Sequence, residues 1–225
     1  MDFAVSDAIR ARIEKNGGEF RANQNIAEYL RPGEREKLQA EVEARIGDLL
    51  RSLVIDVERD HNTRETAGRV AKMFCSEVFA GRYEPAPKVT KFPNINRVDE
   101  ITVVGPISVR SACAHHFVPI MGEAFVAVIY GPELIGVSKF HGLIEWISSR
   151  PQIQEEAAAE IADVLERELE PLGLMVVVKA AHMCCGLRGV KQPDSRMVSS
   201  VVRRRFVGDN NSRAEALALM KGVGL

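Results

Sequence analysis

The sequence carries almost no net charge: 30 lysines and arginines against 31 acids leave −1 over 225 residues. That removes the basic excess with which nucleic-acid binders meet phosphate backbones, so no nucleic-acid partner is expected. Long apolar runs are also missing. No window approaches the roughly 18 uninterrupted apolar residues of a membrane span, so no membrane association is expected. The start, MDFAVSDAIRARIEKNGGEF, lacks a basic segment followed by an apolar one, so no signal peptide is expected either. Cysteines are few, at 75, 113, 184 and 185. Two are adjacent and the spacing makes no disulfide framework. Without a secretion signal, ligation or catalysis is the better use for them, and the cytoplasm is the expected compartment. Repeats and low-complexity tracts are absent. What is present is an apolar fraction of 46%, enough for a real core. The length suits one large domain or a domain with a sizeable extension.

The first 35 or so residues, punctuated by Gly17-Gly18 and Pro32-Gly33, read as loosely organised. Helical spacing then sets in. Leu38, Val42, Ile46, Leu49, Leu50 and Leu53 predict a helix over 36–54, and Val70, Met73, Phe74 and Val78 another over 63–80. Pro85, Pro87 and Pro93 break any continuation, which divides the chain into a helical region (1–83), a linker (84–98) and a main domain (99–225). In that domain ITVVGPISVR (101–110), EAFVAVIY (123–130), LMVVVKA (174–180) and SSVVRRRFV (199–207) read as strands. Segments 138–149, 152–170 and 212–221 read as helices. Segregated runs of this kind predict an α+β fold, with a four-stranded antiparallel sheet and helices on one face. Such a sheet has two open edges, which oligomerisation can cover.

Chemistry-bearing residues gather in two short segments. Cys113-Ala114-His115-His116 follows the first strand and His182-Met183-Cys184-Cys185 the third. They hold three of the five histidines and three of the four cysteines. If the two strands are neighbours, the segments meet. Cys113 and His116 are spaced to chelate from one turn, and one cysteine of the second segment completes the three-ligand set of a catalytic zinc site. The ion's bound water then has its pKa lowered toward ~7. His115 and His182 remain as imidazoles beside the metal, suited to proton transfer. A closed four-ligand zinc using His115 or Cys185 satisfies the same spacing.

CAHHFVP (113–119), IGVSK (135–139), RPQIQEE (150–156), HMCCGLRGV (182–190) and TRETAGRVAKM (63–73) together resemble the GTP cyclohydrolase I family, over roughly residues 40–217. The resemblance implies a tunnelling fold assembled as a homodecamer with active sites between subunits. It also implies a zinc-dependent hydrolase acting on the cyclic amidine of GTP. The imidazole ring opens at C8, formate leaves, and the product recloses to 7,8-dihydroneopterin triphosphate, the first step of folate and pterin synthesis. By position, the implied zinc ligands are Cys113, His116 and Cys184, and the acid/base histidines are His115 and His182. Ser138 matches a catalytic serine near the triphosphate that is also implicated in the later rearrangement, and Gln154 with Glu155 the guanine-recognition pair. Lys139, Arg188 and Arg69 match triphosphate contacts, Arg69 from a neighbouring subunit.

Four departures stand out. Ala114 replaces a frequent glutamate, Ala67 a frequent proline, and Gly142, beside His141, the arginine three residues after the motif lysine. Arg203-Arg204-Arg205 occupies a strand where small or apolar residues are expected. A glycine supplies no fork of donors to a phosphate. Strand alternation would put Arg203 and Arg205 on one face and Arg204 on the other, so one of them could replace that contact, or all could pair with acids or face water. Two other readings remain open: a related zinc enzyme with an altered purine substrate or one stopping at the ring-opened formamide, and a non-catalytic purine or pterin binder.

Overall fold

A computed structural model describes residues 4–225. Contacts divide the chain into two units, Met1–Pro85 and Ala86–Leu225. The first unit is helical: α1 (Val5–Lys15), α2 (Glu34–Ser52), α3 (Thr66–Lys72), which continues as a π turn over Met73–Val78, and α4 (Ala80–Tyr83). The segment expected to be loose therefore holds a helix. Ile9 and Ile13, one turn apart, bury their side chains with Ile26 and Leu38. Two apolar positions are too few to show a period in the sequence.

The second unit contains β1 (Lys91–Pro93), β2 (Ile101–Cys113), β3 (Pro119–Ile129), β4 (Glu133–Ile135), α5 (Val137–Ser148), β5 (Pro151–Gln152) and α6 (Gln154–Leu169). It continues with β6 (Gly173–His182), α7 (Met183–Gly186), β7 (Met197–Arg204), α8 (Arg205–Gly208) and α9 (Asn210–Gly222). β1 and β4 form a two-stranded antiparallel ribbon. The main sheet has the order β5-β2-β3-β6-β7. It has five strands where four were expected: β2, β3, β6 and β7 are antiparallel, and the two-residue β5 lies parallel to the end of β2.

Strand alternation explains how the sheet is covered. Ala124, Val126 and Val128 of β3 point to one face, where Phe140, Leu143, Ile144 and Ile147 of α5 and Ile161 and Leu165 of α6 close the larger core. Phe125, Ala127 and Ile129 point to the other, against Phe206, Ala216 and Met220. α5 and α6 thus share one face, as expected, and α8 and α9 add a cover on the opposite side that was not expected. Apolar burial on both faces is why β3 reads as a continuous hydrophobic run. Among the described residues no helix is long and apolar enough to cross a membrane.

Register decides what stands at the sheet's ends. Ala112 pairs with Pro119, Ile120 with His182, and Cys113 with Gln152, so the ends of β2, β5 and β6 share one end of the sheet. Gly122 makes the close approach of β3 to β6 here. A Cβ at that position would run into the Lys179 carbonyl oxygen and lie within 2.5 Å of the Ala180 Cα, both backbone atoms that cannot give way. Gly122→Ala is expected to cost about 3 kcal/mol, the upper range for overpacking, read as a lowered urea midpoint. A midpoint unchanged from the wild type would show that the strands separate freely.

Candidate metal centre

Cys113 is the last residue of β2 and is buried. The chain then folds back on itself at once: the Phe117 amide donates to the Cys113 carbonyl at 2.8 Å, and the Cys113 amide to the Val118 carbonyl at 2.9 Å. Phe117 takes the left-handed conformation (φ 54°) to make this turn, a local cost that a site can hold in place. The turn carries His116 back over Cys113. From the other side, the single helical turn α7 follows β6 and carries Cys184. One ligand atom from each of Cys113, His116 and Cys184 lies within 4.8 Å of the others. Metal–sulfur and metal–nitrogen bonds of about 2.0–2.3 Å require only a small inward shift from there, so the three side chains fit a single ion. Among the described residues this is the one such grouping of His, Cys, Asp and Glu; His115 and Cys185 fall outside it.

Adjacency of the strands bearing the two segments was the condition set for the segments to meet, yet β3 runs between those strands. The segments meet because the 113–118 turn and α7 both close over the start of β3, where Ile120 packs with Cys113, Ala180 and Cys184.

Burial, followed by the adjacent Cys113 and Cys185 thiols, pushes the Cys184 thiol up to about 11. A coordinated cation reverses that balance, because a ligating thiol is deprotonated. Arg188, in the loop after α7, donates to Nε2 of His116 at 2.9 Å. Its guanidinium therefore lies at the metal centre, where it can meet an anionic group. His115 is also close, with Nδ1 3.6 Å from the Cys113 sulfur.

His182, the last residue of β6, is half-buried, and its Nε2 lies 2.9 Å from Oε1 of Gln154. Burial holds its imidazole below the ordinary value, and the nearby Glu155 carboxylate opposes that shift. Gln154 and Glu155 open α6. Glu155 is exposed, whereas Gln154 is 2% exposed and bonded on every side. Nothing in the sequence distinguished those two environments.

Ser138 and Lys139 stand elsewhere. Lys139, matched by resemblance to a triphosphate contact, lies at the start of α5. That helix ends at Ser148, just before β5 and hence beside Cys113. Its 12 residues make it about 18 Å long, so Ser138 and Lys139 stand about a helix length from the end that approaches Cys113. At the helix start they line a cleft of about 220 Å³ with Pro87, Lys88, Val89, Gly142 and Leu143. Lys88 was not singled out in the sequence; a lone lysine after Pro87 gives no signal. A Cβ at Gly142 would meet nothing within 4 Å, so the cleft is open where an arginine could stand.

Arg69 belongs to the first unit, on α3, where it pairs with Glu65 at 2.6 Å. The three consecutive arginines pair with acids. Arg203 binds Asp163 at 2.8 Å, Arg204 binds Glu166, and Arg205 binds Asp209 at 3.3 Å. The expected alternation also fails at Arg205, because Arg204 takes a positive φ (56°) and the strand ends there.

Comparison with known proteins adds an independent line. The family model described as GTP cyclohydrolase I matches residues 42–221. The GTP cyclohydrolase 1 of Mycobacteroides abscessus is 40% identical over 184 residues, covering 81% of this chain and 89% of that protein. The GTP cyclohydrolase 1 of Bacillus pumilus is 39% identical over 181 residues, covering 80% and 95%. A solved apo archaeosine synthase of the QueF-like type, at 14% identity and a TM-score of 0.36 over 52% of this chain and 95% of that one, is too distant to carry an argument.

Proposed function

The chain belongs to the GTP cyclohydrolase I family, and from that premise we propose that it opens the imidazole ring of GTP at C8, releases formate and recloses the product to 7,8-dihydroneopterin triphosphate. The observation that carries this reading is the convergence of Cys113, His116 and Cys184 within 4.8 Å, with the His115 imidazole against Cys113 and His182 two residues before Cys184. Two thiolates and an imidazole form a donor set suited to zinc. When bound there, zinc supplies a Lewis acid that makes water nucleophilic at neutral pH.

The chain's own residues supply the rest. His182 and His115 carry protons to and from the opening ring, work for which an imidazole is suited near neutral pH. Glu155, exposed at the start of α6, accepts from the N–H edge of guanine. Arg188 reaches the metal centre from its loop and takes a phosphate oxygen. Ser138, Lys139 and Arg69 complete the triphosphate grip. Because Ser138 and Lys139 stand about a helix length from the end of α5 that approaches Cys113 of their own chain, they serve the site of another copy. That geometry supports the homo-oligomer, a decamer by family resemblance; the cytoplasm is its proposed compartment.

Gly142 favours a second reading, a weaker triphosphate grip and hence an altered purine substrate or an arrested reaction. Incubation of the metal-loaded protein with GTP, following formate and pterin fluorescence together, separates these. Both signals are expected to rise in step. Formate without pterin means arrest after ring opening, and neither signal means a binder without catalysis.

A further inference from the structure

Beside the metal centre, the most heavily bonded side chain that is not a candidate ligand is an amide. Nε2 of Gln154 lies 3.0 Å from the Val178 carbonyl oxygen, 3.2 Å from that of Met197 and 3.1 Å from Oγ of Ser199. Two of those atoms are backbone carbonyls, which only accept hydrogen bonds. The amide nitrogen must face them, since the flipped amide would set oxygen against oxygen. Its Oε1 is thereby directed at Nε2 of His182, 2.9 Å away. An amide oxygen also only accepts, so the imidazole must carry a proton on Nε2, and in the neutral ring the lone pair sits on Nδ1. The backbones of β6 and β7 thus dictate, through one buried glutamine, which nitrogen of His182 is free.

We propose that Gln154 is the positioning residue of His182, fixing the tautomer and ring orientation that leave Nδ1 as the nitrogen that takes and returns the proton, and that its side chain does not read the guanine edge. The proposal rests on the reading that the chain acts on GTP with His182 as a proton carrier. A side chain whose donors and oxygen are already spent on protein atoms could serve a ligand only by leaving buried carbonyls unpaired. Of the two residues that open α6, only Glu155 is exposed to meet a base. The arrangement follows the general logic of a base oriented by a third group.

Gln154→Met keeps much of the volume and removes the bonds. It is expected to lower kcat for formate release by about 10–10²-fold, the cost of a slightly misplaced group, with KM for GTP unchanged. Preference for GTP over inosine triphosphate, which lacks the 2-amino group, should stay as in the wild type. Added to His182→Ala, the substitution should cost nothing more, as for a residue acting through another. Ser199→Ala removes one partner of the amide and leaves the carbonyls paired, so it tests the same support with little risk to folding; kcat should fall modestly with KM unchanged. A raised KM with lost preference for GTP, or a loss that adds to that of His182→Ala, overturns the proposal.

If the wild type releases no formate from GTP, the enzymatic reading fails separately, and nitrogen-15 spectra of histidine-labelled protein still decide the positioning role. With only five histidines in the chain, His182 is identified by its loss in His182→Ala. A proton on Nε2 in the wild type, with mixed tautomers in Gln154→Met, supports the proposal; a proton on Nδ1 in the wild type overturns it.

Discussion

Cys113→Ser, His116→Ala and Cys184→Ser are each expected to lose bound metal and at least about 10³-fold of GTP turnover, since a Lewis acid supplies several kcal/mol at the transition state. The three ligand atoms lie within 4.8 Å of one another, and removing any one leaves two, too few to hold a divalent ion in the three-ligand arrangement of a catalytic site. Serine keeps the size of cysteine but not its soft, readily ionised sulfur. Cys185→Ser is the control. Its side chain is next to Cys184 on the same helical turn and therefore points about 100° away around the axis, outside the three-ligand group. It should keep both metal and most of its activity. Metal content and initial rates are measured on the same preparations. Full occupancy in all three ligand variants would sink the assignment, and loss of metal in Cys185→Ser would point to a closed four-ligand centre.

The two segments that carry the candidate ligands were legible because ligand chemistry is local: a cysteine and a histidine three residues apart can share a turn whatever the rest of the chain does. Their meeting could be stated only as a condition on strand adjacency, and the condition proves unnecessary. Adjacency of strands depends on pairing between distant segments, and β3 stands between β2 and β6. The long strands and helices of the second unit showed through their periods, whereas the two-residue β5 is too short to have one. Yet β5 matters to the site, because its pairing with Ala112 and Cys113 brings the start of α6, with Gln154 and Glu155, to the metal end of the sheet. The arginine run pairs with acids, one of the alternatives the sequence left open, and only its alternation fails, for a backbone reason: the positive φ at Arg204 ends the strand there. The acids that pair with Arg203 and Arg204 come from α6, about 40 positions away in sequence, a separation over which charge patterning gives no signal.

The separation of Ser138 and Lys139 from the metal ligands leads to the most demanding test. On the proposed reading, Lys139→Ala would remove a charged contact worth about 1.5–3 kcal/mol, or roughly 10–10²-fold in affinity or rate. On the same reading, His182→Ala would remove a proton carrier worth about 10²–10⁴-fold. Each pure variant should therefore be nearly inactive at low GTP. Within one chain the residues stand apart: α5 starts with Ser138 and Lys139, and only its far end approaches Cys113. If a working site takes its metal end from one copy and its α5 start from another, random co-assembly leaves about a quarter of sites with both contributions intact. Co-expression of Lys139→Ala and His182→Ala chains should then raise activity from about a tenth of the wild type or less to about a quarter. Light scattering must show that the mixed oligomer has the wild-type size, and differential tags must show that both chains are present. A mixture no more active than the mean of its parents would mean that each chain completes its own site, or that Lys139 makes no contact with substrate. The affinity of the Lys139→Ala variant for GTP distinguishes those two outcomes, because a residue that touches the triphosphate cannot be removed without weakening its binding.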